Sequence, residues 1–300
     1  MRGIQAYYTG PSFEGTAGHI YQEKQTEFKF DTTELIHFCL SALSYRKMVG
    51  PLTLYTDEVF FKFLQEKGLL HLWDKVDTSL AKEYYEIGID DYLNWCGFKT
   101  FVLSKNSGQF IFLEHDVIIK SPIDKKLFEC DFRFTHLEYE PNGTYLLTPD
   151  PELEEFVSME DWEYTFEVCN LSIMYFNNDK LLELYTKKMI EFHKSNTNRD
   201  SERGRVRSIF DQQLMHMILK EQGIEYNTFS NFLYDHSSKR WKQIQDDFIL
   251  EYFHFDHLWF NKWLVNQDQN KLQAKQRYYR GIVTSTFPKE QNVLDLIQIL

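Results

Sequence analysis

Gln109-Phe110-Ile111-Phe112-Leu113-Glu114-His115-Asp116-Val117-Ile118-Ile119 is the stretch that decides the fold. Asn106-Ser107-Gly108 turns the chain into it. Residues 109–113 carry no polar alternation, which predicts a strand buried on both faces, as in the middle of a parallel sheet. That strand runs straight into two carboxylates one residue apart. A second apolar segment, Val117 to Ile119, follows, and Lys120-Ser121-Pro122 ends it. In an open α/β sheet ligands collect beyond the carboxyl ends of the strands. Glu114 and Asp116 are therefore the first candidates for chemistry. Oxygen ligands of this type suit Mg²⁺ or Mn²⁺, ions that keep positions open for substrate phosphates. The plainer reading, two acids solvating a strand end, is equally compatible with the residues alone.

Outward from this segment the pattern is α/β. Gly3 to Thr9 reads as a first strand, broken at Gly10-Pro11, with Gly15 and Gly18 in the polar stretch beyond. Asp31, with Glu34 three residues on, predicts a capped helix with Leu35, Phe38, Cys39, Ala42 and Leu43 on one face. Gly50-Pro51 closes it. Leu52 to Thr56 reads as a second strand with Asp57 just past its end, followed by a helix from Phe60 to Lys67 stopped at Gly68. Strand, helix, strand, helix in this order predicts a parallel sheet with helices on its faces.

A helical stretch near Ile89 to Trp95 leads to the apolar segment Phe98 to Leu103, which contains Lys99. Residues 140–165 are acidic and proline-containing and read as an irregular excursion. Cys169 to Phe176 reads as a strand, and Asp179 as the cap of a helix with Leu181, Leu184, Tyr185 and Met189 on one face. Ser195 to Ser208 reads as a loop carrying Arg199, Arg203, Arg205 and Arg207. A helix over Ile209 to Gln222 stops at Gly223. Past Asn231 the chain turns aromatic and histidine-rich, through Glu251-Tyr252-Phe253-His254-Phe255-Asp256-His257-Leu258-Trp259.

Composition narrows the function. The 300 residues suffice for one large α/β domain. A net charge of -12 repels a polyphosphate backbone, so nucleic acid is not the expected partner, and a diphosphate needs a cation to bridge it to the protein. The 26 Phe, 18 Tyr and 6 Trp supply core and also faces on which sugars and bases stack. Cys39, Cys96, Cys130 and Cys169 form no CxxC pair, so neither a disulfide framework nor a zinc site is indicated, and a reducing compartment follows. No apolar run approaches the ~20 residues of a membrane helix, and no leader is recognisable, so the expected location is cytoplasmic. His37, His71, His136, His193 and His216 stand without nearby ligand partners in sequence and read as surface or core histidines.

Taken in order, these segments resemble the GT-A glycosyltransferases, particularly the type that includes glycogenin and bacterial lipopolysaccharide galactosyltransferases. Residues 110–119 are similar to that family's aliphatic strand, DxD motif and second aliphatic strand, with Glu114 where the motif has Asp. Lys99 stands where those enzymes place a basic residue near the donor. Asn170-Leu171-Ser172-Ile173-Met174-Tyr175-Phe176-Asn177 resembles their N-x-G strand, with Ser172 for Gly. Asp211-Gln212-Gln213-Leu214 resembles their DQ helix start, although a helix cap would explain Asp211 equally. His254-Phe255 with Lys262-Trp263 resembles a C-terminal element that supplies the third metal ligand and a lysine for the diphosphate. The spacing leaves either His254 or His257 as the ligand.

The resemblance implies a single GT-A domain over 1–300, with a nucleotide-binding half at about 1–125 and an acceptor and closing half at about 126–300. It implies a retaining transfer from a UDP-hexose donor to an acceptor that is a glycan, a lipid-linked glycan or a protein. Tyr7, Tyr8 and Thr9 would lie near the base and Asp57 near the ribose. Mn²⁺ or Mg²⁺ would be held by Glu114, Asp116 and His254, with Lys262 on the diphosphate. Asn170, Asp211 and Gln212 would face the sugar, residues 140–165 would meet the acceptor, and Arg203, Arg205 and Arg207 would close over the diphosphate. The rival readings are a related nucleotidyltransferase and a catalytically silent GT-A domain acting as a binding module.

Overall fold

A computed structural model describes residues 1–10, 28, 32–90, 94, 96–139, 167–195, 210–225, 227–230, 232–235, 237–238, 240–243, 255–257 and 269–299. Along the chain the elements are β1 (Gly3–Ala6), α1 (Thr32–Met48), β2 (Leu52–Tyr55), α2 (Glu58–Glu66), β3 (Lys75–Asp77), α3 (Ser79–Ile87), α4 (Gly97–Ser104), β4 (Phe110–Leu113) and β5 (Val117–Ile119). They continue with β6 (Phe132–Tyr139), β7 (Glu167–Phe176), α5 (Asp179–Ser195), α6 (Phe210–Glu221), β8 (Asn227–Thr228), β9 (Phe232–Asp235), β10 (Arg240–Gln243), β11 (Phe255–His257), α7 (Gln269–Thr286) and α8 (Gln291–Ile299). The chain is α/β, with mainly parallel sheet strands and helices packed on them.

Two compact units are built from interleaved pieces of chain. The first comprises Met1–Lys82, Leu113–Ile123 and Phe253–Leu300, and the second comprises Glu83–Phe112 and Asp124–Tyr252. In the first unit β1 pairs parallel with β2, and β2 pairs parallel with β3. The β5 strand pairs antiparallel with β11, with Phe255 opposite Ile119 and His257 opposite Val117. Helix α1 packs on β5, and the C-terminal α8 packs on α1.

The single apolar face expected for α1 is not what forms. Every residue from Leu35 to Tyr45 is buried, including His37, Ser41 and Ser44, because the helix has packed neighbours on more than one side. Helix α2 begins two residues before the expected Phe60, since the Asp57 carboxylate caps it through the amides of Val59 and Phe60. It ends as expected. Gly68 takes φ +67°, its amide returns to the Gln65 carbonyl, and the Leu69 amide returns to the Leu64 carbonyl.

In the second unit the strands lie in the order β10, β9, β6, β7, β4, with β8 on β6. β6 is antiparallel to β7 and parallel to β9. Strand β6, which the pattern reading does not mark, is buried at six of its eight positions. With both faces covered and His136 and Glu138 inside, it shows no period-two alternation. The helix expected over Ile89 to Trp95 is absent at Ile89, Asp90 and Asn94, the described residues of that stretch. Gly88 ends α3 at φ +75°, and the next helix, α4, carries Phe98 to Leu103. Asn178 caps α5 by accepting the Leu181 amide, while the expected cap Asp179 accepts the Gly108 amide instead.

Pro11, Gly15, Gly18, Asp31, residues 140–166, the arginines at 199, 203, 205 and 207, His254, Lys262 and Trp263 lie outside the described residues. Among the described residues no helix is long and apolar enough to cross a membrane. None of the four cysteines forms a disulfide.

Candidate functional site

Tyr7, Tyr8, Thr9, Asp57, Glu114 and Asp116 belong to the first unit. The main-chain pairing of β1 reaches Tyr7, whose amide donates to Tyr55. The chain then bends towards Asp57. One carboxylate oxygen accepts from the Thr9 amide and hydroxyl at 2.6 and 2.8 Å, and the other accepts the two α2 amides at 2.9 Å each. Asp57 thus fixes where the chain goes after β1 and where α2 starts. Its four accepted hydrogen bonds match a carboxylate's capacity.

The Glu114–Asp116 turn is held by side chains as well as by its own backbone. All of β4 and β5 is buried, and Asp116 is only 4% exposed. Between the two acids the His115 ring stacks on Phe38 at 5.3 Å and meets Tyr7 edge-on at 6.1 Å. Tyr7 also packs on Phe60. The turn, the β1 end and the α2 start are therefore joined by one aromatic cluster, worth about 0.5–1.5 kcal/mol per ring pair beyond area burial.

Among the described residues no group of three His, Cys, Asp or Glu is gathered as a metal cage. The donor chemistry of Glu114 and Asp116, two carboxylates at a strand end, fits a hard divalent cation. His257 stands opposite Val117, one register position from Asp116. The other candidate, His254, and Lys262 are outside the described residues.

Lys99, Asn170, Asp211 and Gln212 belong to the second unit. Lys99 from α4 donates to Asp211 at the start of α6 over 2.7 Å, with side chains 9% and 3% exposed. Two residues singled out separately from the sequence are thus one buried ion pair. The second Asp211 oxygen accepts the Gln212 amide. The two side chains depend on each other: removing either leaves its partner in a poorly solvated place.

Asn170 sits in a network that the sequence reading missed. Its amide donates to the fully buried Glu138 at 2.5 Å, and its carbonyl accepts the Ser172 hydroxyl at 2.7 Å. The Ser172 hydroxyl also meets Thr135, and His136 lies 3.3 Å from Glu138. Ser172 therefore orients the Asn170 amide. His136, expected as an ordinary core or surface histidine, is buried beside a carboxylate. The available signal was a Thr-His-x-Glu run inside an apolar segment.

His193 closes a second buried cluster, linking α5 to the residues just before and within α4. Its Nδ1 donates to Asn94 at 2.9 Å, and its Nε2 faces the Cys96 thiol at 3.8 Å and the Thr100 hydroxyl at 3.5 Å. Burial, with nearby Lys99 adding to it, lowers the His193 pKa to about 3. Burial likewise lowers that of His216, on α6, to about 4, with Lys220 contributing.

No protein-family model and no curated protein matches the chain. Solved structures similar to it include mouse xyloside xylosyltransferase 1, at 13% identity and TM-score 0.39 over 76% of this chain and 84% of that one. The PaToxG glycosyltransferase is similar at 9% identity and TM-score 0.40, over 74% and 69%. The nucleoside-diphosphate-sugar pyrophosphorylase from Vibrio cholerae RC9 is similar at 12% identity and TM-score 0.36, over 79% and 93%. At TM-scores of 0.40 and below these likenesses carry no argument, so the functional reading stands on the chain's own residues.

Proposed function

We propose that the protein is a GT-A glycosyltransferase that moves a hexose from a UDP donor to a glycan, lipid-linked glycan or protein acceptor, with retention of configuration. The observation that carries this reading is the Glu114–Asp116 turn. It follows a wholly buried strand, is packed through His115 against the residues that follow β1, and matches the sequence resemblance at that point. Glu114 and Asp116 hold Mn²⁺ or Mg²⁺, and a histidine of the β11 region completes the set. Either His254 or His257 is assigned that part, and β11 sets His257 opposite Val117. The bound ion offsets the diphosphate charge and stabilises the charge that grows on the leaving group.

The chain's own groups have separate tasks. Tyr7 and Tyr8 contact the base. Asp57, whose acceptor positions are occupied by Thr9 and α2, serves the nucleotide by holding Thr9 in place. In the second unit Asn170, Asp211 and Gln212 are assigned to the sugar. The Lys99 ammonium aims the Asp211 carboxylate, and Glu138 and Ser172 fix the Asn170 amide. Lys262 is assigned to the diphosphate.

Charge supplies the test. In a protein of net charge -12, a nucleotide diphosphate beside two carboxylates is repelled unless a cation intervenes. Unit charges about 4 Å apart at intermediate dielectric interact by roughly 4 kcal/mol. Calorimetry should show UDP binding at least tenfold tighter with Mn²⁺ than in EDTA, and Asp116→Ala should abolish that gain while circular dichroism stays unchanged. Equal UDP affinity with and without Mn²⁺, or a retained gain in folded Asp116→Ala, refutes the metal-bridged site.

A further inference from the structure

We propose that Ser41 and Ser44 of α1 are positioning residues that set the metal affinity of the Glu114–Asp116 turn by holding its backbone from the helix side. This inference rests on the reading of that turn as the metal end of the site. Neither serine stands out in the sequence, where both are small polar residues on a helix otherwise read as apolar.

The turn is weakly closed by itself. Its main-chain hydrogen bond, from the Val117 amide to the Glu114 carbonyl, spans 3.4 Å, beyond the usual 2.7–3.2 Å range. The same carbonyl accepts the Ser41 hydroxyl at 3.1 Å. At the far end of β5 the Ile119 amide donates to the Ser44 hydroxyl at 2.9 Å, and that hydroxyl donates to the Ser41 carbonyl. Phe38, on which His115 stacks, lies three residues before Ser41, and Ser44 three residues after it. One ridge of α1 thus touches the segment at Glu114 and His115 and again at Ile119.

Ser41 is itself oriented. Its oxygen accepts the Gln5 side-chain amide at 2.9 Å, and Gln5 accepts the Trp73 indole N–H at 2.8 Å. With Gln5 donating to it, the Ser41 hydroxyl hydrogen is left for the Glu114 carbonyl. Ser41, Ser44 and Gln5 are all at most 1% exposed, so water does not compete for these bonds. The relay runs from Trp73 through Gln5 and Ser41 to the backbone between β4 and Asp116. It acts on the carboxylates through the peptide that carries them, as outer-shell partners act on ligands elsewhere.

Ser41→Ala tests this directly. Alanine is smaller and favours the helix, so the fold survives. Three readouts apply to wild type, Ser41→Ala and the hydroxyl-retaining Ser41→Thr: Mn²⁺ affinity in the presence of UDP by calorimetry, UDP affinity in EDTA, and amide hydrogen exchange at residues 114–119. The expected result for Ser41→Ala is Mn²⁺ affinity about tenfold weaker, unchanged UDP affinity in EDTA, and faster exchange across the turn, with Ser41→Thr restoring the Mn²⁺ affinity. Wild-type Mn²⁺ affinity in Ser41→Ala overturns the proposal, as does a lowered melting temperature that is its only change. Absence of Mn²⁺-dependent UDP binding in wild type instead overturns the metal reading itself, and the positioning role falls with it.

Discussion

Acidification should loosen the second unit through His193, by an amount the structure allows to be worked out. The imidazole is buried, donates from Nδ1 to Asn94, and presents Nε2 to the Cys96 thiol and the Thr100 hydroxyl. Nε2 is thus the acceptor of the neutral ring, and a proton there would be a buried charge near the Lys99 ammonium. Its folded-state pKa is accordingly lowered to about 3, against 6.5 for an exposed histidine. The unfolded chain therefore takes up a proton that the folded chain refuses. The stabilisation is complete above pH 6.5, begins to fall there, and is exhausted as pH approaches about 3.

At about 1.4 kcal/mol per pH unit, the fall from pH 6.5 to pH 5 costs about 2 kcal/mol from this one group. The assay is urea unfolding, followed by tryptophan fluorescence, of wild type and His193→Gln at pH 7.5 and pH 5. Glutamine cannot titrate, and His216 and every carboxylate are common to both proteins. The wild-type advantage over the variant should shrink by about 2 kcal/mol at the lower pH. A constant advantage across that range would show that His193 is not held neutral and would refute the reasoning.

Breaking the buried Lys99–Asp211 pair on one side should be severe. Lys99→Met is expected to cost about 3–5 kcal/mol in chemical unfolding, and adding Asp211→Leu should recover most of it, because the penalty is the stranded charge. If the double variant is no more stable than the single one, that assignment of the cost is wrong. Gly68→Ala should lower stability by about 1–3 kcal/mol in a thermal melt. Gly68 adopts φ +67°, and an added Cβ would lie 2.8 Å from the Asn292 side chain. An unchanged melting temperature would mean that the α2 end relaxes freely.

What the sequence determined by itself was short-range. The apolar run ending at Glu114 and Asp116 is a buried strand with a turn because two segments lacking polar residues have nowhere to go but the core. Gly68 and Gly223 stop helices because each takes the positive φ that side-chain-bearing residues resist, at 67° and 59°. The alternation of strands and helices over residues 1–68 was legible for the same reason: turn chemistry and hydrophobic period act within a few residues.

Tertiary structure decided the rest. Lys99 and Asp211, 112 residues apart, were marked for different tasks and proved to be partners. Asp57 reads as an acid just past a strand end, placed near the ribose, and in the fold it holds Thr9 and starts α2. Nothing in the spacing of α1 distinguishes Ser41 from any helical serine, because its role comes from Gln5 and the Glu114 carbonyl, which approach only when the unit is folded. Strand β6 stayed hidden because its polar residues, His136 and Glu138, are buried against each other and against Asn170. A pattern written in polarity shows which residues avoid water on their own account. It does not show which polar groups leave water because a distant chain segment supplies the hydrogen bond, and those are the groups that hold the candidate residues within each unit.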